Sequence, residues 1–258
     1  MINKRLLRNA RLKHSQVGEN TLHNWSSNYA LSIYPINSVY TFIPKNACST
    51  LRFSIAIANG FIRDINDIEW IHNNNSTFRS SQREVSLANY TFVVLRCPYT
   101  RIASCFLDKI VDEEISFNDE KGNKVSLNFY EFLLHINSQQ PSEREQHWRN
   151  QSDFLHYEKY DEYFSLELFS EAITSLEVHG LKVHDTRESI KHGLSSLKTI
   201  DGDFSKMKAV EIKKMKKEGF APNYKSMFSE AEIDLVNDIY KDDINLYKSH
   251  FGENDLLF

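Results

Sequence analysis

The chain lacks the glycine-rich loops that usually cradle nucleotides. Only eight glycines occur in 258 residues, and neither G-x-x-x-x-G-K-[ST] nor G-x-G-x-x-G is present. That excludes the common triphosphate and dinucleotide loops. Cysteine is scarcer still: Cys48, Cys97 and Cys105 form an odd set whose spacing fits no common zinc site. No metal is implied, and so sparse a set points to reduced thiols and a cytoplasmic setting. No apolar run reaches the length of a membrane span. The basic stretch from Met1 to Lys13 has no apolar centre of signal-peptide length. Repeats and low-complexity tracts are absent as well. A net charge of −4 argues against a general nucleic-acid binder and leaves room only for a local basic site.

What is present is enough for a core. Hydrophobic residues make up 41% and aromatic residues 12%, so the chain can pack without disulfides. The simplest organisation is one domain over residues 1–258, with residues 1–35 as an N-terminal arm or extension. The alternative for the basic start is a short amphipathic arm lying on an acidic surface.

Val39 to Ile43 reads as a buried strand that stops at Pro44. A small polar turn with one lysine follows, and Leu51, Ile55 and Ala58 then recur at helical spacing up to Gly60. The free amides and positive dipole end of such a helix suit a phosphate or sulfate. Lys45 adds a full charge, and Ser49 and Thr50 add hydroxyls. An ordinary strand-to-helix connection with a solvated lysine is the competing reading.

A second segment repeats the pattern. Tyr90 to Leu95 is a continuous apolar strand of the kind buried in a parallel sheet. Arg96 follows at its carboxyl end, and a helix runs from about Pro98 to about Ile110, carrying Ser104. Strand ends of this type are where ligands bind in open parallel sheets. Two of them suggest a ligand with two separated anionic groups.

These residues carry a resemblance. Pro44-Lys45-Asn46-Ala47-Cys48-Ser49-Thr50 resembles the 5′-phosphosulfate loop of carbohydrate sulfotransferases, which use 3′-phosphoadenosine 5′-phosphosulfate (PAPS). Arg96 to Ser104, continuing through Cys105 to Lys109, resembles their 3′-phosphate motif. His147-Trp148-Arg149-Asn150-Gln151 is similar to a histidine-tryptophan motif of the Golgi-type sulfotransferase family 2. Tyr160-Asp161 with Glu167, and Tyr240 to Asp243 with Tyr247, resemble later family elements, so the likeness spans about residues 38 to 250. There are departures. Cys97 stands where the family often has aspartate or histidine, Phe164-Ser165-Leu166 replaces a glycine-lysine, and the paired cysteines near His147 are missing.

The resemblance implies a three-layer, P-loop-like α/β fold with a mainly parallel sheet flanked by helices. It implies PAPS as nucleotide donor, a carbohydrate hydroxyl as acceptor, and 3′-phosphoadenosine 5′-phosphate (PAP) as product. Lys45 is expected at the leaving nucleotide oxygen, with Asn46, Ala47, Cys48, Ser49 and Thr50 around the 5′-phosphosulfate. Arg96 and Ser104 are expected on the 3′-phosphate, where a guanidinium fork is well suited. The competing reading pairs Arg96 with a carboxylate and Ser104 with its own helix backbone. An acceptor hydroxyl needs a base, and histidine is the usual one. His147 stands beside Trp148, whose ring suits a sugar face, whereas His72 lies between the two cofactor motifs. Glu167 could instead orient a base or the acceptor. Golgi members carry a membrane anchor, so its absence suggests a soluble, bacterial-like version.

Elsewhere the expectations are structural. Helices are predicted over Asn128 to Asn137, from near Ser142 through His147, and over Glu171 to Val178. A strand is predicted over Tyr157 to Leu168, and one closing helix starts at the Ser229-x-x-Glu232 box. Six lysines between Lys206 and Lys217 form either a solvated face or a patch that attracts anions. Two other functional readings remain: a PAPS-binding protein without turnover, and a nucleotide-dependent phosphotransferase.

Overall fold

A computed structural model of the protein describes residues 5–11, 16–112, 115–186 and 197–258. In chain order come α1 (Thr21–Ser27), β1 (Ala30–Ile33), β2 (Ser38–Thr41), α2 (Cys48–Ala58), α3 (Trp70–Asn73), α4 (Gln82–Leu87), β3 (Tyr90–Leu95) and α5 (Pro98–Cys105). Then follow β4 (Phe117–Asn118), β5 (Lys124–Val125), α6 (Phe129–Ser138), β6 (Glu162–Ser165) and α7 (Phe169–Val178). The chain closes with β7 (Lys198–Ile200), α8 (Ala209–Lys217), β8 (Phe220–Pro222), α9 (Glu230–Ile239) and α10 (Lys241–Phe251). They divide into two compact units, Met1–Arg96 with Gln151–Ile190, and Cys97–Asn150 with Lys191–Phe258.

The first unit holds a four-stranded sheet in the order β1-β2-β3-β6. β2, β3 and β6 are parallel, and β1 is an antiparallel edge strand returned by a tight turn at Asn37. Asparagine tolerates the left-handed conformation found there, φ 45°. All six residues of β3 are buried, which explains its largely apolar composition. Tyr40 stacks on Phe92 at 5.0 Å between β2 and β3, and Thr41 bonds the Tyr160 hydroxyl at 2.7 Å. The mixed α/β architecture with a mainly parallel sheet is thus as expected from sequence.

Residues 1–35, expected as an arm, include α1 and β1. Residues 1–4 and 12–15 lie outside the described ones. Arg5 is buried in an ion pair with Asp161 at 2.8 Å and also bonds Ala88, Asn89 and Thr91. Its charge therefore serves the first unit itself rather than an external acidic surface. The strand predicted over 157–168 shrinks to β6, because Tyr157 and Tyr160 turn their hydroxyls to Val85 and Thr41 and leave the extended path.

In the second unit α5 continues into a π-helical turn over Phe106–Ile110. Phe106 packs on Phe129 and Phe132 of α6, with ring centres 5.4 and 5.6 Å apart. Asn128 and Glu131 cap α6 reciprocally. The helix expected to carry His147 does not form: a 3₁₀ turn covers only Pro141–Glu143, and His147 stands on irregular backbone. The single closing helix is two, broken at Tyr240, whose hydroxyl donates to the Trp148 carbonyl at 2.6 Å. Among the described residues, Lys206 is matched with Glu232, Lys208 with Glu131, and Lys216 with Asp112.

Two histidines of the first unit make its stability depend on acid. His23 and His156 are buried with ring centres 5.0 Å apart, and the His156 Nδ1 meets the Ser26 hydroxyl at 3.0 Å. Burial lowers both, and with the neighbouring His23 it takes His156 to about 4. A lowered folded value means the contribution is whole above about pH 6.5 and is lost as pH falls towards 4. For His156 alone that amounts to about 3 kcal/mol. Urea unfolding followed from about pH 7.5 to about pH 4.5 should therefore show a steeper loss in the native protein than in His156→Gln. Parallel profiles would contradict this assignment.

Candidate functional site

β2 and β3 are adjacent and parallel, so their carboxyl ends lie side by side. Beyond β2 the chain turns through Pro44, Lys45, Asn46 and Ala47 into α2. Lys45 and Ala47 adopt left-handed backbone, φ 72° and 55°. Such conformations cost about 1–3 kcal/mol each in a non-glycine residue and persist only where surroundings impose them. The surroundings are visible. Arg96, directly after β3, donates from Nη1 to the Lys45 carbonyl at 3.0 Å. The Asn46 side chain, fully buried, donates to the Val94 carbonyl at 2.9 Å and to Gln151 Oε1 at 2.6 Å. Gln151 in turn accepts from the Arg96 amide and donates to the Arg96 carbonyl, at 3.0 and 2.9 Å.

α2 begins without a cap. Ala47 has no side-chain acceptor to offer. The amides of Cys48, Ser49 and Thr50 donate to no acceptor among the described residues, and the first closed bond runs from Leu51 to the Ala47 carbonyl at 3.0 Å. Open amides at the positive end of an eleven-residue helix form an anion cradle. Successive amides bent through left-handed residues make a similar concavity. The Ser49 hydroxyl is unengaged among the described residues. The Thr50 hydroxyl is held by Thr186 at 2.7 Å. This donor set, next to the Lys45 and Arg96 cations, fits a sulfated or phosphorylated group.

The sequence-predicted residues separate into those the first unit gathers and those it does not. Lys45, Ala47, Cys48, Ser49, Thr50 and Arg96 meet at the strand tips. Asn46 is there too, but its side chain faces inward and its amide is spent on the Ile43 carbonyl. It shapes the loop rather than offering a donor. Gln151 and Thr186 escaped notice in the sequence. Gln151 stood inside a recognised stretch, and nothing local marked Thr186. His72 is exposed at the end of α3, and Arg52 of α2 donates to the carbonyl of the preceding Ile71. Asp161 is engaged by Arg5 and Thr91, and Glu167 bonds Ser165 at the end of β6.

Ser104, His147 and Arg101 belong to the second unit. Ser104 is 7% exposed on α5. His147 Nδ1 lies 2.9 and 3.0 Å from the two carboxylate oxygens of Glu145. Burial works to raise the Glu145 carboxyl. Bonds from the His147 ring and amide, with the nearby Lys109, outweigh it and hold that carboxyl below its ordinary value. Trp148 is only 3% exposed, edge-on to Phe132 and bonded through its indole N–H to Gln139. It is a core residue and offers no face to a sugar.

A cavity of about 440 Å³ opens at the opposite edge of the first unit's sheet, by Ser38, Tyr90 and Glu162 at the amino ends of the strands. Asp161 and Glu162 line it, so its charge is wrong for an anionic ligand. The open amides and cations suited to an anion lie instead at the carboxyl edge.

A family model described as the sulfotransferase family matches residues 36–250. Neither the curated proteins nor the solved structures yield a match. No helix among the described residues is long and apolar enough to cross a membrane, and Cys48, Cys97 and Cys105 form no disulfide among the described residues.

The left-handed loop yields a direct test. A β-branched side chain resists φ 55° far more than alanine does. Ala47→Val should lower unfolding stability in urea by about 1–3 kcal/mol, and Ala47→Gly should stay within about 1 kcal/mol of the native protein. Equal stabilities for Val and Gly would disprove the strained backbone.

Proposed function

The chain belongs to the sulfotransferase family, and from that premise we propose that it moves a sulfuryl group from PAPS to a carbohydrate hydroxyl. The observation that carries this reading is the uncapped start of α2 beside Arg96. In the transfer the acceptor oxygen bonds to sulfur, the bridging oxygen–sulfur bond breaks, and its electron pair leaves on the phosphate of PAP. A loose transition state, by analogy with phosphoryl transfer, asks for positioning and charge stabilisation rather than covalent help. Lys45 supplies positive charge where the leaving oxygen becomes negative, and the amides of Cys48, Ser49 and Thr50 supply fixed dipoles. Arg96, whose Nη1 also holds the Lys45 carbonyl, brings the positive charge that pairs with the 3′-phosphate. The same role for Ser104 rests on its motif alone.

His147 is the base in this reading, because the Glu145 carboxylate holds its ring at Nδ1. It takes the proton of the acceptor hydroxyl as the oxygen attacks. A second reading gives that task to His72. It is favoured by the Arg52 bond to Ile71, which ties α3 to the loop's own helix. The half-exposed Phe61, with Trp70 at 5.8 Å, would then offer a sugar face beside His72.

Calorimetric titration with PAP tests the donor site. The native protein should bind, and Lys45→Ala and Arg96→Lys should each lose at least about tenfold in affinity, the scale of one charge-assisted bond. A native protein that ignores PAP refutes the proposal. Transfer from labelled PAPS to a panel of saccharides then separates an enzyme from a binding protein without turnover. His147→Ala should abolish transfer and leave PAP affinity intact.

A further inference from the structure

Residues 144–150 of the second unit form neither helix nor strand, yet they are held tightly. The guanidinium of Arg101 reaches the carbonyls of Gln146 and Arg149 at 3.4 and 2.8 Å. The Trp148 carbonyl accepts from Tyr240, and the Trp148 and Arg149 amides close on the Glu145 carbonyl at 3.1 and 2.9 Å. Arg144 bonds Asn150 at 2.7 Å, and Arg149 bonds the Ser142 carbonyl at 2.8 Å. An irregular segment held by this many bonds, with Arg144 Nε its only buried polar side-chain atom lacking one among the described residues, is preorganised for something other than regular structure.

What it presents is His147. The His147 amide donates to Glu145 Oε2 at 2.7 Å, and its Nδ1 faces both oxygens of the same carboxylate. An ionised carboxylate only accepts, so the neutral ring must carry its hydrogen on Nδ1. Nε2 is then left with a lone pair and has no partner among the described residues. The ring is 22% exposed, open enough to meet a substrate and enclosed enough to keep one orientation. Lys109, itself 3.2 Å from Asp108, is the further charge that acts on Glu145.

We propose that Glu145 is a positioning residue that fixes His147 in the Nδ1–H tautomer, with Nε2 as the atom that accepts the acceptor's proton. This rests on His147 being the base, and it adds a residue that neither the sequence motifs nor the family assigns. The logic is that of a carboxylate behind an imidazole in hydrolases, where replacing the acid by its amide leaves the shape and spoils the tautomer.

The test uses ¹⁵N-histidine labelling of the full chain, with the His147 resonances identified by their loss in His147→Ala. In the native protein, at a pH where the ring is neutral, Nδ1 should be protonated and Nε2 bare. Glu145→Gln can turn its NH₂ towards Nδ1, so the hydrogen should move to Nε2. Carbethoxylation of His147 by diethyl pyrocarbonate should slow about tenfold or more, while PAP affinity stays within about twofold, since only the tautomer changes. Any acceptor found in the saccharide panel should lose at least about 100-fold in turnover with Glu145→Gln. A native ring protonated on Nε2, or a Glu145→Gln variant with unchanged tautomer and reactivity, overturns the proposal. Full transfer by His147→Ala overturns instead the base assignment beneath it, so the two failures are distinguishable.

Discussion

The side-chain amide of Gln151 holds the first unit's strand tips together. Its oxygen accepts from both Asn46 and the Arg96 amide, and its nitrogen returns a bond to the Arg96 carbonyl. It is 1% exposed, so these bonds form where water cannot substitute for them, and losing one partner would strand the others. Through Asn46 the amide keeps the loop after β2 in register with β3. Through the Arg96 backbone it sets the arginine that grips the Lys45 carbonyl. The left-handed residues and the open start of α2 follow from that clamp. One discord remains inside it: Asn46 Oδ1 is buried and has no partner.

Charge is distributed unequally around the first unit's sheet. The carboxyl edge carries Lys45, Arg96 and unspent amides, and the amino edge carries a cavity lined by Asp161 and Glu162. An anionic ligand is therefore drawn to one edge and repelled from the other. In the second unit, Glu131, Glu232 and Asp112 neutralise Lys208, Lys206 and Lys216, so the field of the lysine-rich segment is weaker than its composition suggests.

Legibility in the sequence tracked how local the determining forces were. β3 was readable to the residue, because its six consecutive buried residues include only one aliphatic hydroxyl, Thr91, among large apolar side chains. α6 was expected over nearly its full length, and α9 was readable from its capping box, a set of short-range bonds. The turn before α2 was readable from Pro44 and the lone lysine. Contacts made over long separations were not. Arg101 and Tyr240 take the carbonyls a helix through His147 would have needed, and no periodicity in that segment announces them. Trp148 looked like a sugar platform beside a histidine and is instead wedged against Phe132. Glu145 was overlooked because its importance lies in a turn that bends it back on His147, two residues away. Within the candidate site, the strand-tip residues were named from sequence, and the bonds from Gln151 and Thr186 that hold them were not.

The absence of glycine from the Pro44–Ala47 turn has a thermodynamic meaning. A glycine-rich loop samples many shapes when empty and must be ordered by whatever it receives. Here side chains restrict the turn and Gln151 locks it, so its conformational entropy is surrendered when the chain folds. A nucleotide arriving at these strand tips meets a cradle already in shape. Docking should then proceed without a slow rearrangement, at a rate set by diffusion and long-range attraction.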